Sequence, residues 1–181
     1  VYCYLVGIFY SSGPRPLSSL PLGEFFSGFT MGFMISLICV YLNAYDQFVW
    51  NFSTIGSIFL ISLPNTLWIA NLMLANNICD LEEDEKNNRY TIVHYLGKQH
   101  ALKVFVNMNR LAYLSIVATV ALHLAPVMTL LSLVSLPFVW QETQKLLAVQ
   151  VKSQTFICAV KILAVGSFVH VLSFALGILL Q

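Results

Sequence analysis

The chain has 181 residues, of which 58% are hydrophobic and only 9% are charged, and its formal net charge is +1. An ordinary soluble domain has about a quarter charged residues, so this composition indicates a chain that lies in lipid. The near-neutral charge and the absence of a basic run exclude nucleic acid as a partner. The four cysteines have no CxxC spacing, so we predict neither a disulfide framework nor a zinc site.

Apolar runs follow one another along the whole chain. The first, Val1 to Tyr10, is much shorter than the roughly 20 residues that cross a bilayer and lacks the features of a signal peptide. We therefore expect it to be the end of an earlier span, and the chain to be the C-terminal portion of a longer protein. Four runs are long enough to cross: Glu24 to Asn43, Thr54 to Asn76, Val104 to Leu122 and Thr155 to Leu180.

A fifth run, Pro126 to Trp140, is shorter, and prolines suit its two ends. Backbone in lipid has no outside hydrogen-bond partners, so this run is also expected to be helical. The sequence thus predicts an all-α fold, a polytopic transmembrane helical bundle with about five spans. We interpret residues 1–181 as one membrane domain, because no linker or repeat divides them.

The loops differ in charge. Five spans place the loops around Arg15, Lys86 and Lys145 on one side of the membrane, and the basic residues lie in or near them. The loops on the other side, Ala44 to Ser53 and His123 to Ala125, contain no Lys or Arg. The positive-inside rule then predicts that the first set of loops is cytoplasmic.

One polar segment follows the second long span. Five of the eight acidic residues lie between Asp80 and Glu85. If the span continues as a helix, Asn76, Asp80 and Asp84 recur every four residues on one face, with Asn77 beside them. Carboxylate and amide oxygens suit Mg²⁺ or Ca²⁺, and the EF-hand pattern is excluded because its glycine and glutamate are missing.

Mg²⁺ fits this segment better, because it takes one or two protein carboxylates together with water and substrate phosphates. Lys86 and Arg89 follow at once and could contact such a phosphate. The alternative is a solvated charged loop without a ligand. Asn76 and Asn77, with Asn71 behind them, favour a polar cavity, since amides at the end of a span are costly in lipid.

The order Asn76-Asn77-x-x-Asp80-x-x-x-Asp84, then Arg89-Tyr90-Thr91 and Leu96-Gly97, resembles the second aspartate-rich motif of the UbiA superfamily of intramembrane prenyltransferases. It is most similar to the 1,4-dihydroxy-2-naphthoate polyprenyltransferases of menaquinone biosynthesis. The connector Gly13 to Leu17, followed by Pro21 to Glu24 and Gly28, resembles the loop upstream of that motif. The two matches occur in the family's order, and together with the matching pattern of spans to the C-terminus the resemblance covers nearly the whole chain.

The resemblance implies an Mg²⁺-dependent enzyme that moves a polyprenyl group from a prenyl diphosphate to an aromatic acceptor. Asp80 and Asp84 would be the catalytic metal ligands, with Asn76 and Asn77 as further metal ligands or orienting amides. The diphosphate would be bound by these two amides and by three cations, which are Lys86, Arg89 and Arg15. Partners would be the polyprenyl diphosphate, the aromatic acceptor and membrane lipid, in a prokaryotic cell membrane.

Two departures from the family pattern stand out. Tyr90 and Tyr95 occupy positions where the menaquinone branch has cations, which leaves the acceptor open between a naphthoate, a hydroxybenzoate and a haem-type ring. The family's first aspartate-rich motif does not occur in these residues, so we expect the chain to hold half of the site and to be inactive by itself. The alternative function is a transporter or lipid-binding membrane subunit with a cation-binding acidic loop.

Overall fold

A computed structural model describes residues 1–180, which fold into helices joined by loops. No strand occurs in this range, so the all-α prediction is confirmed. The helices are α1 (Tyr2–Ser11), α2 (Gly23–Asn43), α3 (Phe52–Cys79), α4 (Leu81–Lys86), α5 (Ile92–Leu96), α6 (Lys98–Ala121), α7 (Leu136–Ala148) and α8 (Lys152–Leu179). Helix α2 contains a π-helical stretch, Phe29–Met34, and 3₁₀ segments cover Leu17–Ser19 and Val127–Ser135.

Helices α2, α3, α6 and α8 are long and apolar enough to cross a membrane. They contain the four long predicted spans, which are therefore confirmed as helices. Both ends of each helix lie within a few residues of the predicted bounds, with one exception: α6 starts at Lys98, six residues before Val104. The polar first turns of α6 continue the helix beyond the apolar run from which the span was predicted.

The fifth predicted span, Pro126 to Trp140, is not one α-helix and is not among these four helices. It is a 3₁₀ helix over Val127–Ser135 that runs into α7. The Ser132 hydroxyl donates to the Thr129 carbonyl at 2.6 Å, and the Ser135 hydroxyl donates to the Ser132 carbonyl at 2.7 Å. These bonds span three residues, which is the repeat of a 3₁₀ helix, and the three hydroxyl side chains share its buried face.

Helix α3 lies at the centre and packs against α2, α6 and α8, while α8 also packs against α7 and the preceding 3₁₀ helix. The largest fully buried side chain, Trp68 of α3, sits over Gly166 of α8, where an added Cβ would lie 3.1 Å from the indole ring. The main core combines residues from these helices, including Ile78, Phe105 and Ile116. Because α3 is fixed on three sides, its C-terminal end holds Asn76 and Asn77 in a rigid setting.

Helices α2 and α3 approach most closely at Gly28 and Gly32. A Cβ at Gly32 would lie 2.4 Å from both Cα and Oγ1 of Thr66, and a Cβ at Gly28 would lie 2.6 Å from the Thr66 carbonyl oxygen. Glycines spaced by four residues let helix backbones meet in lipid, where association depends on close packing. This contact aligns the start of α2 with the end of α3.

We predict that Gly32→Ala destabilises the protein by about 1–3 kcal/mol, because the obstructing Thr66 atoms include backbone that cannot move alone. Gly56→Ala is the matched control, since nothing lies within 4 Å of an added Cβ at that helical position. Thermal unfolding in detergent measures both variants. Equal transition temperatures for the two would contradict the close-packing explanation.

Candidate diphosphate site

The segment between α3 and α6 begins with a bend at Asp80, which has φ −98° and ψ 6°. The backbone still keeps helical spacing, because the Asp80 N–H donates to the Asn76 carbonyl at 3.0 Å and the Asp84 N–H donates to the Asp80 carbonyl at 2.8 Å. Asn76, Asp80 and Asp84 therefore follow one another at intervals of about one helical turn. The helix itself does not continue unbroken, since α3 ends at Cys79 and α4 starts at Leu81.

Asp84 is the buried acid of this segment, with only 3% of its surface exposed. Its Oδ1 lies 3.3 Å from the Arg89 guanidinium, and the Arg89 N–H donates to the Asp84 carbonyl at 2.8 Å. The chain turns back between the two residues at Asn88, whose φ of 55° is left-handed, a conformation that asparagine tolerates well. The turn thus places a cation directly on the buried carboxylate.

Arg89 also reaches the connector between α1 and α2. Its guanidinium donates to the Ser18 carbonyl at 3.3 Å. Arg89 and Arg15 line one cavity of about 540 Å³, together with Tyr90 and Tyr95. The connector and the turn that follows the acidic segment therefore line one cavity, whose lining includes none of the four predicted metal ligands. Asp84 touches this cavity only through its ion pair with Arg89.

The remaining predicted cation, Lys86, lies elsewhere. Its side chain is exposed at the end of α4, and the lining of the 540 Å³ cavity does not include it. Two of the three predicted cations are thus brought together and the third is not.

Asp80 forms an ion pair with Lys152, the first residue of α8. The Asp80 side chain is 10% exposed. Lys152 was not predicted as a site residue, because 72 residues separate it from Asp80 in the chain. The pair links the end of α3 to the start of α8.

Asn77 is also buried, and its amide nitrogen donates to Oε1 of Glu24 at 2.7 Å. Glu24 therefore joins the site from the first turn of α2, although the sequence analysis used it only as a helix start and as part of the connector resemblance, not as a site residue. The signal that could have found it is an acidic side chain at the head of an apolar span, a costly position unless it has a partner. Asn76, one residue earlier, is half-buried.

Asn71 plays a different part from the one expected. Its amide donates to the carbonyl of Phe105 in α6 at 3.0 Å, and its side chain is fully buried. It therefore ties two helices together, and does not support a polar cavity behind Asn76 and Asn77.

Two buried oxygens in this site have no hydrogen-bond partner among residues 1–180: Oδ2 of Asp84 and Oδ1 of Asn77. Other buried polar atoms also have none, including Nε of Arg89 in the same site and Oδ1 of Asn71 in the helix core, so these two oxygens are available to a bound group but do not by themselves mark one. Both are hard oxygen donors of the kind that Mg²⁺ prefers. Within the described part of the chain, no group of three or more His, Cys, Asp or Glu side chains could hold a metal ion by itself, so these donors amount to a partial site.

Burial raises the pKa of the Asp84 carboxyl, the Arg89 guanidinium beside it lowers that pKa, and the Asp80 carboxylate raises it again, with a net upward shift. A raised pKa in the folded state means that folding favours the protonated acid. The stability that Asp84 contributes is therefore fully present below its ordinary pKa, near 4, and is lost as pH rises through its higher folded-state pKa.

We therefore predict that the metal-free wild type loses stability relative to Asp84→Asn as pH rises from about 4 to 8. Glu83→Gln, which changes an exposed neighbour in the same helix, is the control for loss of one charge. Chemical unfolding in detergent at several pH values measures the difference. A wild type that gains stability relative to Asp84→Asn as pH rises contradicts the assigned direction.

Comparison with known proteins shows which family the sequence resembles. The sequence pattern of the UbiA prenyltransferase family matches residues 1–165. The chain is also 34% identical over 115 residues to the 1,4-dihydroxy-2-naphthoate octaprenyltransferase of Bacillus subtilis (strain 168). That alignment covers 64% of the chain and 35% of the relative. No solved structure gives a significant match.

These matches confirm the resemblance on which the site residues were predicted. The family match covers α1 to α7 and the first half of α8, so three of the four membrane helices and the acidic segment lie wholly within the family pattern. Four helices of spanning length and composition in such a pattern indicate an integral membrane protein. The chain belongs to the UbiA prenyltransferase family.

Proposed function

We propose that the chain supplies the second aspartate-rich half of an aromatic prenyltransferase site, which moves a polyprenyl group from a prenyl diphosphate to a ring such as 1,4-dihydroxy-2-naphthoate in quinone biosynthesis. The observation that carries the proposal is the cavity that Arg15 and Arg89 both line, with Arg89 ion-paired to the buried Asp84. Membership of the family favours this activity over the transporter alternative. We take the acceptor in this proposal from the name of the Bacillus subtilis relative, and the assay below tests it.

In this proposal Asp80, Asp84, Asn76 and Asn77 hold Mg²⁺, and the two unpartnered oxygens on Asp84 and Asn77 fit that ion. When bound, Mg²⁺ neutralises the charge that develops on a departing diphosphate. Glu24 holds the Asn77 amide nitrogen, which leaves the amide oxygen free to serve as a ligand. Glu24 is thus a positioning residue.

The protein's cations bind the diphosphate oxygens in this scheme. Arg89 lines the cavity and could bind them through its guanidinium, while its bond to the Ser18 carbonyl holds the connector in place. Arg15 lines the same cavity and would be the second cation. Fixed cations stabilise the leaving group because they need no reorganisation when charge develops.

We place the acidic segment on the cytoplasmic face of a prokaryotic membrane, because the Lys and Arg residues gather in the loops on that side. Residues 1–181 form one membrane domain, and the first aspartate-rich motif comes from polypeptide outside it. By itself the chain would bind diphosphate weakly and would not transfer the prenyl group.

Asp80→Asn and Asp84→Asn should each lower prenyl transfer by at least about 100-fold, because each removes charge that stabilises the transition state. Glu83→Gln, an exposed acid in the same short helix, should keep near-normal activity. The assay incubates membranes that contain the complete protein with a labelled prenyl diphosphate and each acceptor. Full activity in both Asp variants would overturn the proposal.

Substitutions of the three predicted cations should differ in their effect on KM for the prenyl diphosphate. Arg89→Gln and Arg15→Gln should raise KM for the prenyl diphosphate by about tenfold or more, the loss expected for a charge-assisted hydrogen bond. Lys86→Gln should have a much smaller effect, because Lys86 does not line the cavity. Equal increases in KM for Lys86→Gln and Arg89→Gln would show that the cavity is not where the diphosphate binds.

A further inference from the structure

Arg110 lies well inside α6 and has no charged partner. It lies six residues past Val104, where the apolar run of α6 begins, so it stands about 9 Å along the helix axis into that run. Its side chain is exposed, and it forms no salt bridge with any residue in 1–180. An unpaired cation at such a depth in a spanning helix is costly, and such residues usually have a functional reason.

Arg110 sits where two cavities between α6 and α7 meet. The first, of about 480 Å³, has almost entirely apolar walls, which include Tyr113, Leu114 and Leu136. The second, of about 750 Å³, has polar walls, which include Lys103 and Gln150. Both are lined by Val106, Arg110 and Trp140, so they form one continuous groove with an apolar half and a polar half.

The direction of the groove matches that of a lipid in a bilayer. The polar half lies toward the start of α6, where the helix has its polar turns, and the apolar half lies toward the helix interior. Lys103 and Arg110 are seven residues apart, about two turns on one face. Side chains of a helix lean toward its N-terminus, so the Arg110 guanidinium reaches toward Lys103 and the polar end.

The groove is open to the outside. Leu114 is 62% exposed, Trp140 is 47% exposed and Leu136 is 44% exposed. Trp140, at the junction of the two halves, belongs to a residue type that prefers the interface between lipid and water. A hydrocarbon chain can therefore enter the apolar half from the side.

We propose that this groove binds an anionic phospholipid, with its phosphate between Arg110 and Lys103 and one acyl chain along the apolar half. No acidic side chain lines either half, so two cations face one singly charged phosphodiester. A prenyl diphosphate carries more charge and relies on carboxylate-bound metal, which this groove does not offer. The site is separate from the cavity that contains Arg15 and Arg89, with which it has no lining residue in common.

Quenching of Trp140 by brominated lipid tests the proposal. The complete protein is reconstituted in phosphatidylcholine vesicles in which a minor fraction of lipid is brominated phosphatidylglycerol or, in parallel, brominated phosphatidylcholine. The Trp140 signal is the difference between each protein and its Trp140→Phe version. We expect brominated phosphatidylglycerol to be enriched about fivefold at Trp140 relative to brominated phosphatidylcholine.

Arg110→Gln should abolish that enrichment. Lys161→Gln, which removes another exposed cation from a spanning helix, α8, should leave it unchanged. If Arg110→Gln fails to fold, Lys103→Gln and high salt replace it, and each should reduce the enrichment. Equal quenching by the two lipids overturns the proposal, and so does absence of quenching by either, which would mean that protein covers the groove.

A competition experiment distinguishes binding of a phospholipid from binding of a prenyl diphosphate. Farnesyl diphosphate with Mg²⁺ is added to vesicles that contain brominated phosphatidylglycerol. Unchanged quenching of Trp140 supports a phospholipid site, whereas loss of quenching assigns the groove to the prenyl diphosphate and overturns the proposal.

Discussion

The arrangement of the polar segment depends on one ion pair, between the buried carboxylate of Asp84 and the guanidinium of Arg89. A carboxylate that is 3% exposed is stable as an anion only when a cation and hydrogen bonds replace the water it loses. Arg89 provides the cation at Oδ1 but leaves Oδ2 without a partner, in keeping with the raised pKa of this carboxyl. Its second contact, with the Ser18 carbonyl, joins the connector to the same side chain. The connector, the turn at Asn88 and α4 are therefore positioned by one side chain.

The membrane helices hold this pair in place by a different kind of interaction. The contact at Gly28 and Gly32 brings α2 against α3, and this contact places Glu24 beside Asn77. Trp68 and Gly166 set the distance between α3 and α8, at whose ends the Asp80 to Lys152 pair forms. Close packing inside the membrane thus fixes which polar groups meet at its surface.

The sequence predicted the local parts of this arrangement well. Apolar runs identified the spans, and the four-residue spacing of Asn76, Asp80 and Asp84 corresponds to backbone bonds that are present. It could not predict the partners Glu24 and Lys152, which are 53 and 72 residues away from the groups they bind. It also missed the 3₁₀ helix before α7, because an apolar run bounded by prolines predicts a helix without distinguishing the 3₁₀ form, which here includes local bonds from serine hydroxyls to backbone carbonyls.

Helices α3 and α8 each have 28 residues, about 42 Å of helix, against a hydrocarbon core of about 30 Å. Such helices must tilt or extend beyond the core, and the choice depends on the thickness of the surrounding bilayer. Asp80 follows the end of one of these helices, and Lys152 begins the other. A change in tilt therefore moves the two partners relative to each other, so that hydrophobic mismatch acts directly on a carboxylate of the proposed magnesium site.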